Sequence, residues 1–156
     1  MWEKKYSESS KNNKAEKEIN DALELLGASS GSEFENIHGH YADRELALLY
    51  VEKGDYELAF KHALLEYNRR PNNIDVNQTL AWVRYHRNEF AEASKLIDVA
   101  LRTHSKNPVL LYEAGLIKIK SGNRSEGIAF LNEALNINPF LNKHLKEEGV
   151  KYLAAR

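Results

Sequence analysis

The run HGHYAD brings His38, His40 and Asp43 together within six residues, and two imidazoles with a carboxylate are legitimate ligands for zinc or nickel. Such a site needs a further ligand held on another element. Spacing ties none to this run, so it reads as a solvated loop entering a helix. His62, His86, His104 and His144 are dispersed along the chain, and each reads as a surface or helix-end residue rather than a catalytic base. The glycine-rich GASSGS, residues 27–32, lacks the lysine and following hydroxyl of a phosphate-binding loop and reads as linker. Glu147 and Glu148 lie in a charge run and read as exposed. With no cysteine, a thiolate metal site, a cysteine nucleophile and a disulfide are all excluded. No triad can be assembled, and the expectation is a protein that is not an enzyme and carries no metal or cofactor.

Whatever these residues do, longer elements must hold them in place. The chain has 156 residues, 42% hydrophobic and 29% charged, enough to bury a core as one domain or as a short repeat array. A formal net charge of -1 creates no long-range field for phosphate backbones, and the arginine pairs Arg69–Arg70 and Arg84–Arg87 are small clusters on a mixed surface. Nucleic acid is therefore not an expected partner. No apolar run approaches a membrane span, and the start, MWEKKYSESSKNNKAEKE, has charges where a leader needs its apolar stretch. A soluble chain is expected. The compartment stays open, with the cytoplasm favoured and the periplasm allowed if a parent protein supplies a leader.

The chain repeats itself every 34 residues. GDYELAF at Gly54 returns as NEFAEAS at Asn88 and as GNRSEGI at Gly122. Three units follow, 40–73, 74–107 and 108–141, with no insertion between them. Their columns match small to small: Ala47, Ala81 and Gly115; Ala59, Ala93 and Gly127. Gly54, Asn88 and Gly122 each end an amphipathic run where a helix can close through a left-handed residue. The paired small residues let two antiparallel helices approach closely, with Tyr56 or Phe90 covering the open end. Asn107 before Pro108, and Asn138 before Pro139, supply a capping side chain and a first helical residue that needs no N–H. Each unit is expected to be a helical hairpin.

On these residues the chain resembles the tetratricopeptide repeat family, whose 34-residue unit carries small residues where Ala47 and Ala59, or Gly115 and Gly127, stand, and often proline where Pro71 and Pro139 stand. The blocks DRELALLY, LAWVRY and LLYEAGLI look like parts of bacterial members without an assigned role. The aromatic usual near the start of the unit is replaced by Asp43, Asn77 and Leu111, and Tyr50 gives way to Arg84 and Lys118. The resemblance implies an all-α fold in which helical hairpins stack as a right-handed α-solenoid, serving as a scaffold for protein binding.

The ends extend the pattern. Trp2, Tyr6, Ala15, Ile19, Ala22 and Leu23 fit the template of an incomplete unit beginning before Met1, which would make the chain a fragment; a polar tail with chance matches is the other reading. Residues 1–39 are thus a partial repeat or helix followed by a flexible insertion. Leu141, Leu145, Glu148 and Tyr152 form one stripe, so 142–156 is expected to be a C-terminal capping helix over the exposed face of the 124–136 helix.

In the first helix of each unit, one set of residues points away from the paired helix, and in the resembled family that face lines a concave groove. Here it holds Tyr41, Arg44, Leu48 and Val51, then Asp75, Gln78, Trp82 and Tyr85, then Val109, Tyr112, Leu116 and Ile119. Val51 and Ile119 are also placed to pack on a neighbouring unit. Trp82, Tyr85 and Tyr112 read as anchors for a protein or peptide partner. Arg44, Glu52, Asp75, Gln78, His86 and Lys120 would set orientation at the rim. The carboxylate clamp found in some family members is not expected, because Leu48 and Thr79 stand where it needs asparagines. Self-association through the same aromatic face, giving a homo-oligomer, and service as an adaptor region of a larger enzyme or membrane protein remain the alternatives.

Overall fold

A computed structural model of the chain describes residues 14, 16–22, 24–25, 42–141 and 143–154, with the side chains of 143–145 outside the description. His38, His40, Tyr41 and most of the expected partial repeat lie outside these residues. The chain divides into two compact units, residues 1–66 and 67–156. Every regular element among the described residues is helical, and no helix there is long and apolar enough to cross a membrane.

In the first unit residues 16–22 are helical, and the Lys53 ammonium donates to Asn20 Oδ1 at 3.0 Å. Helix α1 (Asp43–Lys53) and helix α2 (Tyr56–Arg69) follow. Gly54 closes α1 at φ 81°, a left-handed conformation costly to a residue with a Cβ. Its N–H reaches the Val51 carbonyl at 3.0 Å, and the Asp55 N–H reaches Tyr50 at 2.9 Å, which is the Schellman pattern. Asp55 then caps α2 by accepting the Leu58 N–H at 3.1 Å. Ala47 and Ala59 are wholly buried. Asp43, where an aromatic is usual, meets His62 Nδ1 of α2 at 2.7 Å, and the His62 ring stacks on Tyr50 at 5.5 Å. A polar clasp thus takes the place of the missing ring. Among the described residues no group of His, Asp or Glu is arranged to hold a metal ion.

The second unit holds α3 (Ile74–His86), α4 (Phe90–Leu101), α5 (Pro108–Lys120), α6 (Arg124–Ile137) and α7 (Lys143–Ala154). Asn73 caps α3 by accepting from the Val76 N–H at 3.1 Å, and Asn107 caps α5 by accepting from Val109 at 2.9 Å. The Schellman closure recurs at Asn88 (φ 61°) and Gly122 (φ 100°), where the Glu89 N–H reaches Arg84 at 2.9 Å and the Asn123 N–H reaches Lys118 at 2.8 Å. The hairpins α3–α4 and α5–α6 share one core cluster, with Ala81, Ala93, Ile97, Ile117 and Leu131 all inaccessible to solvent. Asn77, another residue in place of an aromatic, is buried and donates to the carbonyls of Pro71 and Asn73, both at 2.7 Å, which ties the preceding loop to α3.

Helices α5 and α6 come closest together at a pair of glycines. A Cβ built on Gly127 would stand 2.5 Å from the Gly115 carbonyl oxygen, and one on Gly115 would stand 2.7 Å from Leu131 Cγ. Contact through bare backbone is what the small-residue columns provide at this point.

Asn138 and Pro139 depart from their expected part in starting a helix. Asn138 is extended at the end of α6 and accepts the Phe140 N–H at 2.9 Å, so Pro139 and Phe140 form a turn and α7 begins at Lys143. Asx-turn chemistry competes with capping for the same side chain, and here the turn prevails.

Candidate functional site

Helix α7 packs on α5 as well as on α6. That placement broadens the expected cap over 124–136 and decides what becomes of the aromatic face of α3 and α5. Tyr112 of α5 is fully buried, and its hydroxyl donates to the Lys146 carbonyl at 2.8 Å. Directly above it sits Gly149, whose added Cβ would lie 2.2 Å from the Tyr112 hydroxyl oxygen. The α7 backbone therefore rests on the phenol with no side chain between them. Burial, helped by the Glu148 charge, pushes the Tyr112 phenol above its ordinary pKa, while backbone N–H groups at Gly149 and Val150 pull it back.

Tyr85 of α3 is buried and donates its hydroxyl to the Glu148 carboxylate. Burial and then that hydrogen bond push the phenol far upward, because ionised Tyr85 would lose its solvation and face a second anion. Glu148 thus departs from the exposed charge run expected for it: Glu147 is exposed, whereas Glu148 is half-buried. Trp82 stacks on Tyr85 at 5.0 Å with an interplanar angle of 6°, and His86 meets Trp82 edge-on at 4.5 Å. Burial holds the His86 imidazole below its ordinary pKa, against the opposite pull of Glu148. The Lys120 ammonium lies 5.7 Å from the Phe90 ring centre and 5.9 Å from that of Tyr152, and the Arg124 guanidinium donates to the Tyr152 carbonyl at 3.1 Å.

No family model and no curated protein matches the sequence. Solved structures do match. The crystal structure of MamA superposes with a TM-score of 0.61 at 15% identity, over 90% of this chain and 88% of that one. A MamA segment from Desulfovibrio magneticus RS-1 gives 0.61 at 17% identity, covering 96% and 92%. The first TPR domain of human RPAP3 gives 0.58 at 17% identity, covering 72% and 87%. The fold is that of a tetratricopeptide repeat domain.

Within this tetratricopeptide fold, the residues expected at the recognition face have different surroundings. Asp75 is exposed at the start of α3. Gln78 is half-buried and donates to the buried Glu113 of α5 at 2.8 Å. Trp82 and His86 are half-buried, whereas Tyr85, Tyr112 and Leu116 are closed off from solvent. Leu116 belongs to the core cluster against which Tyr152 and Leu153 of α7 pack. In the first unit Arg44 and Leu48 are half-buried on α1, with the Arg44 guanidinium 3.2 Å from Glu45 Oε1. Sequence reasoning missed Glu148 and Gly149 as parts of this site. A signal for both existed, since Glu148 lies on the stripe through Tyr152 and Gly149 stands 34 residues after Gly115 in the small-residue column.

Proposed function

We propose that this chain is a protein-interaction module that binds a peptide or protein partner along the aromatic face of α3 and α5, with no catalytic step. The observation that carries the reading is the half-buried Trp82, stacked on Tyr85 and edged by His86. An indole preorganised by two neighbouring rings offers a large amphipathic contact at low entropic cost, and such residues dominate protein interfaces. Asp75 and His86 would orient the partner beside it. MamA and the RPAP3 domain share the fold, and the binding reading rests on the rings rather than on those names.

The test is titration of a partner recovered from the source cell against the wild type, Trp82→Ala and an exposed control on α4, Lys95→Ala. Trp82→Ala is expected to cost about 2 kcal/mol or more of binding energy, and the control close to nothing. Equal affinity of the folded Trp82→Ala chain would place recognition on another surface.

A further inference from the structure

Helix α7 covers more than it contributes. Of its side chains over 146–154 only Gly149 is buried, and glycine adds no apolar surface; Tyr152 and Leu153 are half-buried, and Glu147, Val150, Lys151 and Ala154 are exposed. By contrast every residue from Leu110 to Lys118 of α5 is buried. Most of the apolar surface removed from water when α7 seats therefore belongs to the face beneath it rather than to the described side chains of α7. Polar contacts specify its position: Tyr85 to Glu148, Tyr112 to the Lys146 carbonyl, Arg124 to the Tyr152 carbonyl, and the Lys146 ammonium to the Pro139 carbonyl at 2.8 Å. Beneath it lie the phenols of Tyr85 and Tyr112, and the core cluster on which Tyr152 and Leu153 pack includes Leu116, a richer surface than the helix that rests on it.

We infer that α7 is a tethered, displaceable occupant of the α3–α5 face, and that the partner this face accepts is a helix carrying the α7 signature: a glutamate for the Tyr85 hydroxyl, followed directly by a glycine over Tyr112. The inference rests on reading this face as the recognition surface, and adds the ligand chemistry and the means of control. The carboxylate is specified because Tyr85 presents its hydroxyl as a donor there, with the His86 ring edge-on to it at 5.5 Å. The glycine is specified because a Cβ at that point would collide with the phenol, its Cζ lying only 2.5 Å away. The aromatic three residues beyond the glycine is specified by the Lys120 ammonium near Tyr152. The short turn at 138–141, with Leu141 held in the core cluster, keeps α7 at an effective concentration on the order of millimolar, so a partner must match the signature to compete.

The test uses the full chain and a fluorescently labelled peptide of residues 143–154. In the Gly149→Ala chain the tethered helix no longer fits, and the wild-type peptide is expected to bind it about tenfold or more tightly than it binds the wild-type chain. Replacing the glutamate of the peptide corresponding to Glu148 by glutamine, or introducing Tyr85→Phe into the Gly149→Ala chain, should weaken binding at least several-fold. Circular dichroism checks that the variant is folded. If it is not, Glu148→Gln in the chain is the substitute, and it should admit the peptide to an intermediate degree. Equal binding of the peptide to variant and wild-type chains, or indifference to its glutamate, overturns the inference. So does a wild-type dimer in sedimentation that Gly149→Ala abolishes, since the occupant would then be α7 of a second copy. Failure here with Trp82-dependent partner binding intact would leave the interaction module standing and remove only the displaceable helix.

Discussion

The Tyr85 hydroxyl donates to the Glu148 carboxylate across 63 positions of sequence, fastening α3 to α7. One end is buried and the other half-buried, so the bond lies where solvent competes weakly. Hydrogen bonds to charged groups in such places contribute about 1.5–3 kcal/mol. Tyr85→Phe keeps the ring stacked on Trp82 and removes the donor alone. A loss near the lower end, about 1.5 kcal/mol, is expected in urea unfolding, because Glu148 can recover part of its solvation. A double-mutant cycle with Glu148→Gln should return most of that loss as coupling. Additive losses would mean that the two groups do not interact in solution.

Gly149→Ala should destabilise the protein, against helix propensity. In an exposed helix interior the change would stabilise by about 1 kcal/mol. Here the new methyl lands on the Tyr112 ring and hydroxyl, both held in the core, and overpacking of this kind costs about 1–3 kcal/mol. Thermal unfolding gives the sign directly. A rise in Tm would show that α7 stands off Tyr112.

Much of the hairpin architecture is legible in the residues, because glycine or asparagine in a left-handed closure and alanine or glycine at a close approach are demands that few other residues meet. Gly54, Asn88 and Gly122 carry the first, and Gly115 and Gly127 the second. Asn-Pro is more ambiguous. At Asn107–Pro108 it opens a helix, while at Asn138–Pro139 the same dipeptide makes a turn. The repeat column would have separated them, since Pro139 matches Pro71, which lies before α3 and outside it. The stripe through Tyr152 places Glu148 on the packed side of α7, but its pairing with Tyr85 depends on how far α7 leans onto α3 and α5, a tertiary relation that no local period encodes. The contact of Tyr112 with the α7 backbone has the same origin.

Gly127→Ala tests the closest helix approach. Its methyl would meet the Gly115 carbonyl oxygen at 2.5 Å and the Ile119 backbone nitrogen at 2.9 Å, atoms that no rotamer change can move. The expected cost is about 3 kcal/mol, at the upper end for overpacking, as the hairpin must spread. Gly122→Ala makes the contrast: there is open space around it, and the φ of 100° alone is penalised. Chemical denaturation should rank Gly127→Ala as the more damaging of the two. A reversed ranking would mean that α5 and α6 are not in backbone contact.

Stability should fall on both sides of neutrality, for reasons that can be separated by substitution. His86 is held below its ordinary 6.5 chiefly by burial, so as pH falls through 6.5 the unfolded chain takes up a proton that the native imidazole refuses. This contribution is complete above about pH 6.5 and declines from there toward the native pKa. Tyr85 and Tyr112 are shifted the other way, so their contribution is complete below 10.0 and is lost as pH rises beyond it, when the unfolded phenols ionise first. Urea midpoints measured at about pH 7.5 and 5.5 should therefore fall less steeply for His86→Phe than for the wild type, since carboxylates elsewhere act on both chains alike. Tyr85→Phe should leave that acid difference unchanged and shrink the alkaline one. If the gap between His86→Phe and wild type stays constant across the acid range, the imidazole is not buried as the neutral form, and Trp82 has lost one of the two rings that hold it.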